Sequence, residues 1–299
     1  MTEARLHDAS TIAIEVHGDG STVLLPVNPQ PVEGPQAEEM RRWGADPALG
    51  RSLLDGLSDA FRVVAFDYEG HLLQVPKPDT LTPANVASDL LAVADAAGAD
   101  RFAYYGYSWL ALAGLQLAIR TDRLSALVMG GFPPIGGPYT QMLAVTAATH
   151  AMASSPSAPS AAPTPQPSAE PQDEPAGEPD WSQVEVSLTE AQTRQFVTLY
   201  QALQGFDDAA AQAQIRCPRL CFVGSADEID YDERWGGVHV SMAGPVIDRR
   251  AELEALGWQV RVLEGWTTSR PCRPPRSCRS CAPGSSPNWA GDCRGAKHP

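Results

Sequence analysis

The sequence predicts an α/β fold: a mostly parallel sheet with helices on both faces and an inserted helical lid. Three observations predict it. Short apolar runs alternate with helical patterns from residue 11 to about 132 and again from 219 to 263, the order that builds parallel sheets covered on both sides. Between those stretches the alternation stops, and helical patterns flank a segment rich in proline, serine and alanine. Finally, the strand-like run Phe102-Ala103-Tyr104-Tyr105-Gly106 enters Tyr107-Ser108-Trp109 and passes at once into a helical pattern.

Taken in order, residues 11–16 alternate apolar and polar as a half-exposed strand does, and 22–25 read as a second strand. His17 falls between them, in what reads as a hairpin turn. Residues 62–66 are a buried strand. Residues 82–97 are a helix, with Thr82 as N-cap and Pro83 at the first helical position. Strand 102–105, helix 110–120 and strand 124–129 follow. The lid, at 133–216, carries helices at 139–152 and about 189–203, the second with Phe196, Leu199, Tyr200 and Leu203 on one stripe. Between them, 154–180 holds eight prolines and five acids and predicts a disordered loop. Strand 219–223, helix 246–256 and strand 259–263 resume the alternation. The expected core includes Val23, Leu25, Val63, Val64, Phe102, Tyr104, Leu127, Leu220, Phe222 and Val262.

The organisation is therefore a core in two parts, 10–132 and 217–265, interrupted by the lid and followed by a distinct tail, 266–299, expected to be disordered. The chain has 299 residues, 43% of them hydrophobic, and no run of membrane-spanning length. Met1-Thr2-Glu3-Ala4-Arg5 lacks a basic stretch leading into an apolar one, so a cytoplasmic location is expected. The net charge of −14 argues against nucleic acid or an anionic membrane as partner.

Ser108 sits where a strand delivers a residue into a sharp turn and a helix leaves it, a place that exposes a hydroxyl beside outward-pointing N–H groups. A serine in such a turn is also a common N-cap. The order of other segments adds to the signal. Phe61 to His71 has a strand running into Asp67-Tyr68-Glu69-Gly70-His71. Gly224-Ser225-Ala226-Asp227 directly follows strand 219–223, and the lid falls between 129 and 219.

Over residues 10–265 this ordered set resembles the α/β-hydrolase family. The resemblance implies that Ser108 is a nucleophile, Asp227 the acid that orients a histidine base, and the Trp109 N–H a donor to the oxyanion. It implies hydrolysis of an ester or similar acyl bond of a small, fairly apolar substrate through an acyl-enzyme, with no metal or cofactor. Tyr104, Tyr105, Tyr107 and Trp109 surround the elbow. Three departures stand out. The family has a small residue two places after the serine, where this chain has Leu110. Its usual His-Gly after the strand at 22–25 is Pro26-Val27-Asn28-Pro29 here, so the second oxyanion donor comes from Asn28, Gln30 or nowhere, since proline has no N–H.

The third departure concerns the histidine that follows the last strand in the family. Here Leu263-Glu264-Gly265 is followed by Trp266-Thr267-Thr268, and His7, His17, His71, His150, His239 and His298 all lie elsewhere. One nucleotide added before the TGG codon of Trp266 regroups the message as NTG-GAC-NAC, which reads Leu, Met or Val, then Asp, then His, Asn, Tyr or Asp. The same frame permits a stop at Gly291-Asp292. A one-base frameshift would also account for the tail's composition. Residues 267–299 hold six basic groups and one acid, leaving 16 basic and 35 acidic side chains for the rest, and four of the six cysteines. Cys272, Cys278, Cys281, Cys293 and His298 could instead ligate zinc, but only one short cysteine pair is present. Without the histidine, and without a closing helix over the last strand, the chain is expected to turn over esters near background and to expose apolar sheet surface. The alternative is a non-catalytic protein that holds a small ligand on the same fold.

Overall fold

The computed structural model describes residues 2–42, 46–155 and 186–267. Most of the proline-rich loop, the cysteine cluster and His298 lie outside the described residues. Among the described residues there are ten strands: β1 (Thr2–Arg5), β2 (Thr11–His17), β3 (Thr22–Leu25), β4 (Arg62–Ala65), β5 (Phe102–Tyr107), β6 (Leu124–Gly130), β7 (Arg219–Gly224), β8 (Glu228–Asp230), β9 (His239–Ser241) and β10 (Trp258–Leu263). Eight form one sheet in the order β1-β2-β4-β3-β5-β6-β7-β10, and β8 and β9 form a small antiparallel ladder. From β4 to β10 every neighbour is parallel, and β1 and β2 are antiparallel additions at one edge.

The helices are α1 (Gly34–Arg42), α2 (Leu49–Ser58), α3 (Tyr68–Gln74), α4 (Pro83–Ala96), α5 (Trp109–Ala118), α6 (Tyr139–Ala153), α7 (Glu190–Ala202), α8 (Asp208–Ala211), α9 (Gly244–Asp248) and α10 (Arg250–Ala255). Helices α4, α5 and α10 cover one face of the sheet, where Leu90, Val93, Leu115 and Leu253 join the core with Leu24, Tyr104, Met129 and Val260. On the other face α2 sets Leu53, Leu54 and Leu57 against Val23, Leu25, Val63 and Ala65. Both faces thus carry helix, as expected.

Several expectations need correction. No hairpin joins β2 to β3, because β4 lies between β2 and β3. His17 closes β2 opposite Val63. The helix expected at 246–256 is two, broken at Arg249, whose φ of −102° and ψ of 17° leave the helical region. Nine of the ten expected core residues are buried, whereas Val262 is half-buried because β10 is an edge strand. On the α2 side of the sheet, a cavity of about 260 Å³ opens over β3, β5, β6 and β7, lined by Val23, Ala103, Ala126, Val128 and Leu220.

The lid helices α6 and α7 pack on each other. A capping box between Thr189 and Gln192 starts α7. Polar contacts then fix α7 to the last turn of α3 and the segment after it: Gln195 donates to the Leu72 carbonyl at 3.1 Å and accepts from the Lys77 N–H at 3.1 Å, and Gln192 donates to the Leu73 carbonyl at 2.6 Å. The Lys77 ammonium is itself buried, where it pairs with Asp8 and donates to Ser10 Oγ at 3.2 Å. Burial alone would raise the Asp8 pKa, but hydrogen bonds from Lys77 and Ser10, with the Lys77 charge, hold its carboxyl far below the usual range. A carboxyl depressed in this way stabilises the fold above its unfolded-state pKa, and that contribution is lost as pH falls below about 4. Lys77→Met should cost about 2 kcal/mol at pH 7, at or below the low end for broken buried pairs because Asp8 is partly exposed, and less at pH 3. Urea unfolding at the two pH values checks it, and an equal loss at both would show that the pair is not the cause.

Candidate active site

β5 ends at Tyr107, and Ser108 occupies the turn into α5 with φ 55° and ψ −130°. A positive φ is strained for any residue with a Cβ, and such strain persists only where the surroundings enforce it. They do so through the backbone. The Ser108 N–H donates to the Gly130 carbonyl at 2.8 Å, and the Ser108 carbonyl accepts from Ala111 at 2.8 Å and Leu112 at 3.3 Å. The hydroxyl makes no capping bond. Serine here is therefore not serving as an N-cap.

The close approach of strand and helix is made by Gly106, so the departure at Leu110 does not obstruct the turn. A Cβ on Gly106 would lie 2.2 Å from the Leu110 carbonyl oxygen. That carbonyl also accepts from the buried Tyr104 hydroxyl at 2.9 Å, and Leu110 itself turns into the core. Tyr104 and Tyr105 are core residues, Tyr105 stacking on Phe222 at 6.2 Å. Only Tyr107 and Trp109 of the four aromatics are half-exposed at the turn.

Asp227 lies just past β7, in a turn where its carboxylate accepts from the Gly224 N–H at 2.9 Å and its N–H donates to the Gly224 carbonyl at 3.0 Å. β5 and β7 are separated only by β6, so their C-terminal ends stand about 10 Å apart at ordinary strand spacing. The chain leaving β10 folds onto this turn. Ser225 N–H donates to the Leu263 carbonyl, Gly265 N–H to Ser225 Oγ at 2.8 Å, and Ala226 N–H to the Trp266 carbonyl at 3.0 Å. Residues 265–267 are thus laid directly beside the Asp227 turn.

As the first residue of α5, Trp109 has an N–H without an intrahelical acceptor. In the loop after β3, Asn28 Oδ1 accepts from the Gln30 N–H at 2.9 Å, which engages Gln30 and leaves the Asn28 N–H as the available donor.

No protein-family model matches the sequence, and no curated protein matches it either. Solved structures do match. An enol-lactonase from Burkholderia xenovorans LB400 superposes with a TM-score of 0.52 at 17% identity, over 90% of this chain and 92% of that one. A thermophilic esterase from Thermogutta terrifontis gives 0.55 at 14% identity, over 90% and 92%. A bottromycin epimerase gives 0.50 at 14% identity, over 90% and 92%. The chain has the α/β-hydrolase fold.

On this α/β-hydrolase fold the histidine remains the open position. His7 is held by Asp89 at 2.9 Å and Thr80 at 3.2 Å, His17 by Glu15 at 3.0 Å, and His150 by Thr193 at 3.0 Å. His71 is on α3 and meets Ser10 Oγ at 3.0 Å. His239 is in β9 between Asp230 at 2.7 Å and Glu228 at 2.9 Å. None of these seven bonds goes to Ser108 or Asp227.

The structure adds two neighbours of the elbow that the sequence reading passed over. Trp109 Nε1 donates to Glu69 Oε1 at 3.4 Å, and the Trp109 ring meets Phe196 of α7 edge-on at 5.5 Å. Glu69 was visible only as an acid in the first turn after a strand, and Phe196 only as one member of an apolar stripe. No group of described residues could hold a metal ion.

Proposed function

We propose that the protein is a serine hydrolase of an ester or similar acyl bond in a small substrate, working through an acyl-enzyme. The observation that carries this reading is the strained Ser108 turn at the end of β5 with Asp227 at the end of β7, one strand apart. Ser108 Oγ attacks the acyl carbon as its proton passes to a histidine. Asp227 orients that imidazole and stabilises its cation, and the Trp109 and Asn28 N–H groups receive the charge on the carbonyl oxygen. The alcohol leaves with the proton, and water, activated by the same base, frees the acid.

The histidine belongs just beyond residue 265, where the chain lies beside Asp227. A one-base frameshift upstream of Trp266 removes it from the chain as written. On this reading the hydrolase core surrounds a lid near 133–216, and the tail from 266 is out of frame. The two described cysteines are free thiols, which fits a reducing compartment, so we place the protein in the cytoplasm. The charge of −14 favours a small-molecule substrate over nucleic acid.

The rival reading is a ligand-binding protein on the same fold, favoured by the engagement of every described histidine elsewhere. Reading the nucleotides across residues 264–268 separates the two: an inserted base that opens an Asp-His frame supports the enzyme, and the absence of any such frame supports the binder. In the frame-restored protein a fluorophosphonate probe should label Ser108, located by peptide mass, and labelling of another serine would remove Ser108 from the role.

A further inference from the structure

At the end of the sheet opposite Ser108, a cavity of about 510 Å³ opens between the end of α5 and the starts of β6 and β7. Ile119, Arg120, Thr121 and Asp122 line it from one side, and Arg216 and Cys217 from the segment before β7. The chain holds 36 acids to 22 lysines and arginines, yet this lining has two arginines to one acid, the reverse of the overall balance. Neither arginine forms an ion pair with a described acid, Asp122 included.

Arg120 is fixed in place from below. Its Nη1 donates to the Gln116 carbonyl at 2.7 Å and to Gln116 Oε1 at 2.8 Å. Gln116 is 2% exposed, and its Nε2 has no partner among the described residues. Burying an amide N–H unpaired is costly. The fold accepts that cost where the oxygen of the same amide holds a guanidinium at the cavity. Arg120 Nε and Nη2 have no partner among the described residues, and they form the edge of the fork that grips an oxyanion by two parallel bonds. Arg216, which is exposed, leaves its whole guanidinium open.

A plainer role for Arg120 is to cap the last turn of α5. That accounts for Nη1 alone, and leaves the open edge, Arg216 and the cavity without a purpose. The negative end of α5 is no obstacle to an anion, because the Leu115, Gln116 and Leu117 carbonyls already accept from Ile119 N–H, Arg120 Nη1 and Arg120 N–H.

We propose that Arg120 and Arg216 bind the phosphate group of a small organic phosphate in this cavity, a site separate from Ser108. Two guanidiniums match the two charges of a phosphate monoester. The volume falls among the roughly 300–1,000 Å³ of sites that take whole small molecules, so an organic body accompanies the anion, against Ile119 and Leu124.

The test is calorimetric titration at pH 8 and low salt of phenyl phosphate, inorganic phosphate and benzoate into the full chain and its Arg216→Ala, Arg216→Glu and Arg5→Ala variants. Phenyl phosphate should bind at least about tenfold tighter than either other probe. Arg216→Ala should weaken it at least about tenfold, the size of one charge-assisted bond, and Arg216→Glu should abolish it. Arg5→Ala removes an exposed charge from β1, at the far edge of the sheet, and should leave binding unchanged. No measurable binding of phenyl phosphate, an affinity unaltered by either change at Arg216, or an equal loss in Arg5→Ala overturns the site. Inorganic phosphate or benzoate binding as tightly as phenyl phosphate overturns the ligand class.

Discussion

Restoring the histidine should raise ester turnover by a factor on the order of 10⁴. The expectation follows from the state of the nucleophile. The Ser108 hydroxyl is a poor nucleophile near neutral pH without a base, and every described histidine is bonded away from it. On the proposed reading, the chain as written retains the Trp109 and Asn28 donors and the strained turn, which account for only a residual part of catalysis in a serine triad. Replacing the residues from Trp266 onward with the single-insertion frame adds the base at the place where the main chain already touches the Asp227 turn. Turnover of a simple activated ester by the two chains measures the gain. In the restored chain Ser108→Ala should bring the rate back to background. If the chain as written already hydrolyses the ester at ordinary enzymatic rates through Ser108, another base is serving it and the frameshift reading of its chemistry is wrong.

Gly106→Ala should destabilise the fold by about 3 kcal/mol, in the upper range for forced overpacking. The added methyl would meet the Leu110 carbonyl oxygen at 2.2 Å and the Ala111 nitrogen at 2.8 Å. Both are backbone atoms, so no rotamer change can relieve the contact. Either β5 or α5 must shift, and a shift breaks the Tyr104 hydroxyl's bond to the same carbonyl. It also disturbs the bonds that hold Ser108 at its strained φ. Urea unfolding measures the loss, and a midpoint within error of the parent would show that strand and helix are not locked at this glycine. Gly98→Ala gives a comparison, since a Cβ there meets nothing within 4 Å and only its φ of 64° opposes the change. Its cost should be smaller.

How much of this was legible in the sequence depended on where the information lay. The parallel strands from β3 to β7 are short apolar runs buried on both faces, and their signal is local. β1 was missed because Thr2-Glu3-Ala4-Arg5 turns only Ala4 inward, and pairing with β2 makes it a strand. α3 was missed because it has seven residues and a glycine in its middle. Leu53, Leu54 and Leu57 of α2 did show helical spacing, and that sign was overlooked. The positions of Ser108 and Asp227 followed from the order of segments, which survives wide sequence change. Glu69 and Phe196 could not be found that way, because only packing brings α3 and α7 to the ring of Trp109.

The place of β10 has a consequence for the order in which the molecule is made. Among the described residues, β10 is the last strand to leave the ribosome and an outermost one, and it pairs with β7 alone. Seven strands and the elbow can assemble while the C-terminal residues are still being synthesised, because domains form from the N-terminal side as the chain emerges. Whatever follows Gly265 is added to a sheet already laid down. On the proposed reading, a change of reading frame at that point would spare the architecture and strike only the residues translated last, among them the proposed base.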